Sequence, residues 1–299
     1  MADIKTFFGE PFYTMLNIGG FIPYSPPILS KKFKIRYFIT IFYIFINASL
    51  LLSFYTFLSG DANSDGSSLF SKIFAVLMYM GYPLSVIFGL STILLKCSEI
   101  RNIIDSYNTA INAITFIDRL RISRSNGKYF KIWKFCVIPY FLMNIIGMLI
   151  TQEEYRLYFS YTIIVVYVNQ SSILLDINFA IFLNNLQNLI KKFNSIFLNL
   201  RNKSRGDFST RLAYSRKLHY DLCDIAESVG ECFKYFMTVV VMVNFAAFVF
   251  GIYKAVTLDE NIFHHARSCF WVVYFCIKFL IILGTSFSTM KEVRNFFKI

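Results

Sequence analysis

The sequence has 299 residues, 56% of them hydrophobic and 16% charged, with a formal net charge of +12. Soluble domains carry about 25% charged residues. This composition therefore excludes an ordinary soluble globular protein and favours a chain that lies largely within a membrane.

Six apolar runs follow one another along the chain, each close to the ~20 residues that cross a ~30 Å hydrocarbon core. They cover residues 37–59, 73–95, 135–151, 157–183, 235–256 and 268–289. These runs predict an all-α, polytopic helical bundle of six transmembrane helices. Little chain is left outside them and their loops, so we expect a single membrane domain over residues 1–299.

The basic residues alternate between the loops. Of the 30 Lys and Arg residues, 25 lie before the first run, in 96–134, in 184–234 or after the last run. The other loops hold four, and Lys278 lies inside a run. Because basic loops stay in the cytoplasm, both termini are predicted to be cytoplasmic in the plasma membrane. The positive charge then faces membrane lipid, and no nucleic-acid partner is expected.

The two long cytoplasmic segments, 96–134 and 184–234, have apolar residues at helical spacing. A break at 201–209, with Gly206 among basic residues, predicts two long helices that project from the bilayer and join in a hairpin. Their apolar stripes could pack on each other within one subunit, touch lipid, or hold subunits together. The pattern leaves these alternatives open.

Polar side chains inside the runs concentrate in the fourth, where Asn169, Ser172 and Asp176 fall on one helical face. Such residues normally face the bundle or an aqueous cavity. They fit hydrogen bonding between helices, or a ligand pocket. The positions of Asp176, toward the cytoplasmic end of its run, and Lys278, near mid-span, predict that these two do not form an ion pair.

No sequence motif for catalysis stands out. The chain lacks a phosphate-binding loop, a nucleophile elbow and a zinc-protease motif. Its six cysteines form no C-x-x-C pair and are predicted to be free thiols. We expect no enzyme activity, no catalytic residues, no cofactor and no metal site.

Two motifs resemble those of the insect gustatory receptors, within the insect chemoreceptor superfamily. One is Gly-Gly-Phe-Ile-Pro-Tyr-Ser at 19–25, ahead of the first run. The other is Leu-His-Tyr-Asp-Leu-Cys at 218–223, which continues through Phe233 to Gly-Ile-Tyr at 251–253. Gly230 departs from the Asn of the family pattern. The resemblance implies a tetrameric, ligand-gated cation channel of seven spans that detects small tastants.

The family's seventh span, which lines the pore and ends in Gln-Phe, is not found after the sixth run. We therefore expect this chain to lack the pore helix and to be electrically silent when expressed alone. It could still join a homo- or hetero-tetramer with related receptors through its cytoplasmic stripes. The alternative functions are a secondary transporter and a structural membrane subunit without a ligand.

A receptor of this kind needs a pocket in its extracellular half. Aromatic side chains would supply apolar contact there, and amides would orient a polar ligand. The ligand-binding candidates, chosen by depth and chemistry, are Tyr79, Tyr82, Tyr161, Tyr167, Asn169, Gln170, Trp271 and Tyr274.

Overall fold

The computed structural model describes residues 7–8, 13–14, 16–17, 21–22, 31–61, 69–118, 131, 134, 142, 155–200, 208–257 and 262–296. Within these residues the chain forms six helices and no strands, which confirms the all-helical prediction. They are α1 (Lys31–Asp61), α2 (Leu69–Leu95), α3 (Cys97–Asp118), α4 (Tyr155–Leu200), α5 (Phe208–Thr257) and α6 (Ile262–Phe296). The predicted third span, 135–151, lies outside the described residues except for residue 142.

Four helices in the described part are long and apolar enough to cross a membrane. The qualifying segments are Lys34–Ser53, Tyr167–Phe197, Leu212–Tyr253 and Val272–Arg294. A fifth is possible if Met80–Leu95 and Cys97–Thr115, which meet at 71°, count as one broken span. Pro83 lies inside α2, but the 71° bend is at the junction of α2 and α3 and not at this proline. The described residues thus form a helical membrane bundle.

Helices α4 and α5 are much longer than a bilayer requires. With 46 and 50 residues, they span about 70 and 75 Å at ~1.5 Å per residue. Both carry apolar residues at helical spacing along their full length, so neither ends where the apolar run ends. α4 stops at Leu200 and α5 starts at Phe208, on either side of the predicted break.

Helix α4 is the centre of the bundle. The share of its apolar window that is buried reaches 83%, against 11% for α1, 28% for α5 and 33% for α6. It packs against α2, α3, α5 and α6. Polar groups on α4 therefore face other helices and not lipid, which is where interior polar groups are least costly.

The first residues of the chain pack into the same core. Phe7, Phe8 and Phe21 are almost completely buried. The side-chain amide of Asn185 donates to the carbonyl of Phe7 at 3.1 Å, and that of Asn178 donates to the carbonyl of Phe21 at 3.4 Å. Two asparagines on α4 thus hold the backbone of the amino-terminal segment at Phe7 and Phe21.

Contacts between helices fix their relative directions. Residues along α6 meet α4 in increasing order: Tyr274 lies near Asn169, and Thr289 near Leu183. These two helices are therefore parallel. α2 and α5 are antiparallel, because Gly81 lies beside Val243 and Gly89 lies beside Phe236. Such directions are those of a chain that crosses a membrane alternately from each side.

Candidate functional site

An ion pair lies in the centre of the bundle, between α4 and α6. The ammonium nitrogen Nζ of Lys278 is 3.2 Å from Oδ2 of Asp176, and both side chains are fully buried. This corrects the expectation that the two charges would not meet. The prediction placed Asp176 toward the cytoplasmic end of its run and Lys278 near the middle of its own.

The register of α4 against α6 explains how the two charges meet. Tyr274 meets Asn169, so a group four residues later on α6 lies near a group several residues later on α4. The side chain of Lys278 spans the remaining distance to Asp176, since its four-carbon stem can reach along a helix surface. Register between helices is a tertiary property, and the hydropathy of one helix does not report it.

The Lys278 ammonium has three kinds of partner. Besides Asp176, it donates a hydrogen bond to Oγ of Ser172 at 2.8 Å. It also lies 4.8 Å from the centroid of the Tyr82 ring, within cation–π range. Tyr82 in turn stacks on Phe275, with ring centroids 5.9 Å apart and planes 11° from parallel. One cationic group therefore joins α2, α4 and α6.

A second polar contact joins α4 to α1. The amide of Asn47 donates to the backbone carbonyl of Tyr43 at 2.8 Å and to the hydroxyl of Tyr167 at 3.3 Å. The rings of Tyr43 and Tyr167 stack at 6.0 Å. Asn47 was not a predicted site residue, and its place in a span was the signal that could have found it.

The predicted ligand candidates divide between these two faces of α4. Tyr167 faces α1, whereas Asn169, Tyr274 and Tyr82 belong to the face shared with α6 and α2. The Tyr274 hydroxyl lies 3.5 Å from the backbone carbonyl of Asn169. The face itself was predicted, because Asn169, Ser172 and Asp176 do point toward one neighbouring helix, but Lys278 was not foreseen as their partner.

Three candidates cannot be assigned contacts. Tyr79, Tyr161 and Trp271 lie on α2, α4 and α6, and their side chains fall outside the described part of the structure.

Gln170 has a buried side-chain amide whose donor and acceptor are both candidate ligand contacts. Both Nε2 and Oε1 of its amide are buried and have no hydrogen-bond partner among the described residues. Oδ1 of Asn244, on α5, is also buried and has no hydrogen-bond partner among the described residues. A buried amide without partners costs about 1–3 kcal/mol per group, so these atoms are candidate contacts for a polar ligand.

The side chains of this region can interact with a bound molecule through charge and hydrogen bonds. Within the described residues, no group of three or more His, Cys, Asp or Glu side chains could hold a metal ion. The cluster presents a balanced ion pair, a hydroxyl, amides and aromatic faces, in a site lined by three helices. Such a set can orient a small molecule that is partly apolar and partly polar.

Comparison with known proteins gives one result for nearly the whole chain. A family model described as 7tm Chemosensory receptor matches residues 10–299. No curated protein matches the sequence.

Proposed function

Because the chain belongs to the 7tm chemosensory receptor family, we propose that it is a plasma-membrane receptor in which a small-molecule tastant opens a cation channel. In this proposal the chain is one subunit of a tetramer that it forms with related receptors. The ligand binds in the extracellular half, among α2, α4 and α6.

The observation that carries the proposal is the polar cluster inside the apolar bundle. Ionisable groups within a membrane are costly and generally mark functional sites. Here Asp176 and Lys278 lie at the inner end of a face that also carries Asn169 and Tyr274. Gln170, one residue from Asn169, adds an amide whose donor and acceptor are both available within the described residues.

The test is direct binding to the purified chain in lipid nanodiscs. The sequence contains two tryptophans, Trp133 and Trp271, and the Trp133→Phe variant leaves Trp271 on α6 as the reporter. We expect a saturable change in its fluorescence with at least one compound from a panel of sucrose, caffeine, denatonium and glycine. The same compound should evoke a cation current from cells that express the chain together with related receptors. A panel without any saturable change would contradict the proposal.

Gln170→Leu should weaken that binding by about 5- to 100-fold, the equivalent of one or two lost hydrogen bonds at ~1–3 kcal/mol in total. The matched control is Gln187→Leu, the same chemical change 17 positions further along α4, which should leave the dissociation constant unchanged. Equal weakening by both variants would show that the effect comes from altered folding of α4 and not from a ligand contact.

The proposed orientation has both termini in the cytoplasm. In intact cells, an antibody should fail to reach a tag at residue 1 and should reach it after permeabilisation. This follows from the strong bias of Lys and Arg toward one set of loops. Labelling of the tag in intact cells would reverse the orientation, and with it the assignment of the ligand site to the extracellular half.

A further inference from the structure

Three buried groups line the site that the Lys278 ammonium occupies. Its walls are the carboxylate of Asp176, the hydroxyl of Ser172 and the ring face of Tyr82, at 3.2, 2.8 and 4.8 Å. All of these side chains are at most 3% exposed. We call this set of three walls the ammonium box.

The walls match the chemistry of a primary ammonium group. Such a group has three N–H donors and no acceptor. The box offers a carboxylate, a hydroxyl and an aromatic face, each of which attracts an N–H donor or a cation. We propose that the ammonium box is a binding site for primary amines, that Lys278 is its internal occupant, and that a small primary amine takes the place of this side chain when it is removed.

Other ligand classes fit the box less well. Ca²⁺ and Mg²⁺ need about six or more oxygen ligands, and the described walls supply oxygens from two side chains, Asp176 and Ser172. A neutral alcohol would leave the buried carboxylate of Asp176 without a counter-charge, which is unfavourable in an apolar interior. A primary amine supplies both the charge and the donors.

The size of the ligand follows from the side chain that it replaces. Lys278→Ala removes three methylene carbons and the ammonium nitrogen. The molecule n-propylammonium has the same three carbons and one nitrogen, so it can fill the space atom for atom. Longer amines would overfill a packed interior, and methylammonium would leave part of it empty.

The experiment measures the melting temperature of Lys278→Ala in nanodiscs with millimolar n-propylammonium chloride. Saturating amine should raise the melting temperature by about 4 °C, because a ligand that binds only the folded state stabilises it. Equal concentrations of KCl and of 1-propanol should not. The wild-type chain should bind the amine at least about 100-fold more weakly, since the tethered Lys278 ammonium competes at a high effective concentration.

Two further variants identify the walls. Lys278→Met fills the space with an uncharged side chain and should show no amine effect. The Asp176→Asn/Lys278→Ala variant keeps the space but removes the carboxylate, and should lose the preference for n-propylammonium over 1-propanol. An equal amine effect in this double variant would place binding elsewhere and overturn the proposal, as would an equal effect of KCl on Lys278→Ala.

If Lys278→Ala does not remain folded during purification, the recovered fraction of monodisperse protein becomes the measurement. Recovery should rise several-fold when n-propylammonium replaces KCl in every buffer, and failure of the amine to restore it would count against the ammonium box. These readouts do not use ligand-evoked current, so they are independent of the proposed receptor function. A chain that binds none of the tastant panel can still pass this test.

Discussion

Lys278→Met should destabilise the folded chain by about 3–5 kcal/mol, because it leaves the buried Asp176 carboxylate without its counter-charge. The pair is fully buried and 3.2 Å apart. Asp176→Asn alone should also be destabilising, because it leaves the buried Lys278 ammonium without its counter-charge. The measurement is the free energy of unfolding of the purified chain in mixed micelles.

The double variant Asp176→Asn/Lys278→Met tests where the loss of stability in the single variants comes from. It can come from the lost attraction between the two charges, or from the one buried charge that is left without a partner. Replacing both members of a buried pair by neutral groups is often nearly neutral, so the double variant should recover most of the stability lost in either single variant. The matched control is Lys234→Met, which removes the exposed partner of Glu231 and should not change stability measurably. If the double variant is as unstable as the sum of the single variants, the two side chains are not energetically coupled and this reasoning is wrong.

Gly89→Val should be the most damaging substitution of a small residue. A Cβ atom at position 89 would lie 2.7 Å from Leu175 Cδ1 and 2.8 Å from Phe236 Cε2, closer than side-chain atoms can approach. Leu175 on α4 and Phe236 on α5 are both buried, so they have little room to move. Gly89→Ala should cost about 1–3 kcal/mol through overpacking, and Gly89→Val should cost more.

The control is an alanine at a helical glycine with open space. Among the residues that the structure describes, none comes within 4 Å of a Cβ added at Gly284, on α6, or at Gly230, on α5. Alanine is a better helix former than glycine by about 1 kcal/mol, so Gly284→Ala and Gly230→Ala should leave stability unchanged or raise it. Melting temperatures of the four variants, measured in one lipid composition, should therefore rank Gly89→Val lowest and the two control variants highest. A Gly89→Ala variant as stable as Gly284→Ala would show that α2, α4 and α5 are not in close contact at this point.

The sequence by itself determined the class of this protein. Long apolar runs and helical periodicity are local properties, and each helix satisfies its backbone hydrogen bonds within its own segment. For that reason the all-helical bundle could be predicted, and so could the shared face of Asn169, Ser172 and Asp176 on α4. The family resemblance also rested on short segments, and the match over residues 10–299 confirmed it.

Only the tertiary structure decided which side chains meet. Lys278 and Asp176 are 102 positions apart, and nothing within either helix records how far one helix is shifted along the other. That shift is set by packing at many points at once, such as the close approach of α2 to α4 and α5 at Gly89. The ion pair, the role of Tyr82 as a wall of the ammonium box and the contact of Asn47 with Tyr167 all depend on it. Many non-local contacts together determine how far one helix is shifted along another. The apolar pattern of a single helix reports none of these contacts, so the shift could not be predicted from it.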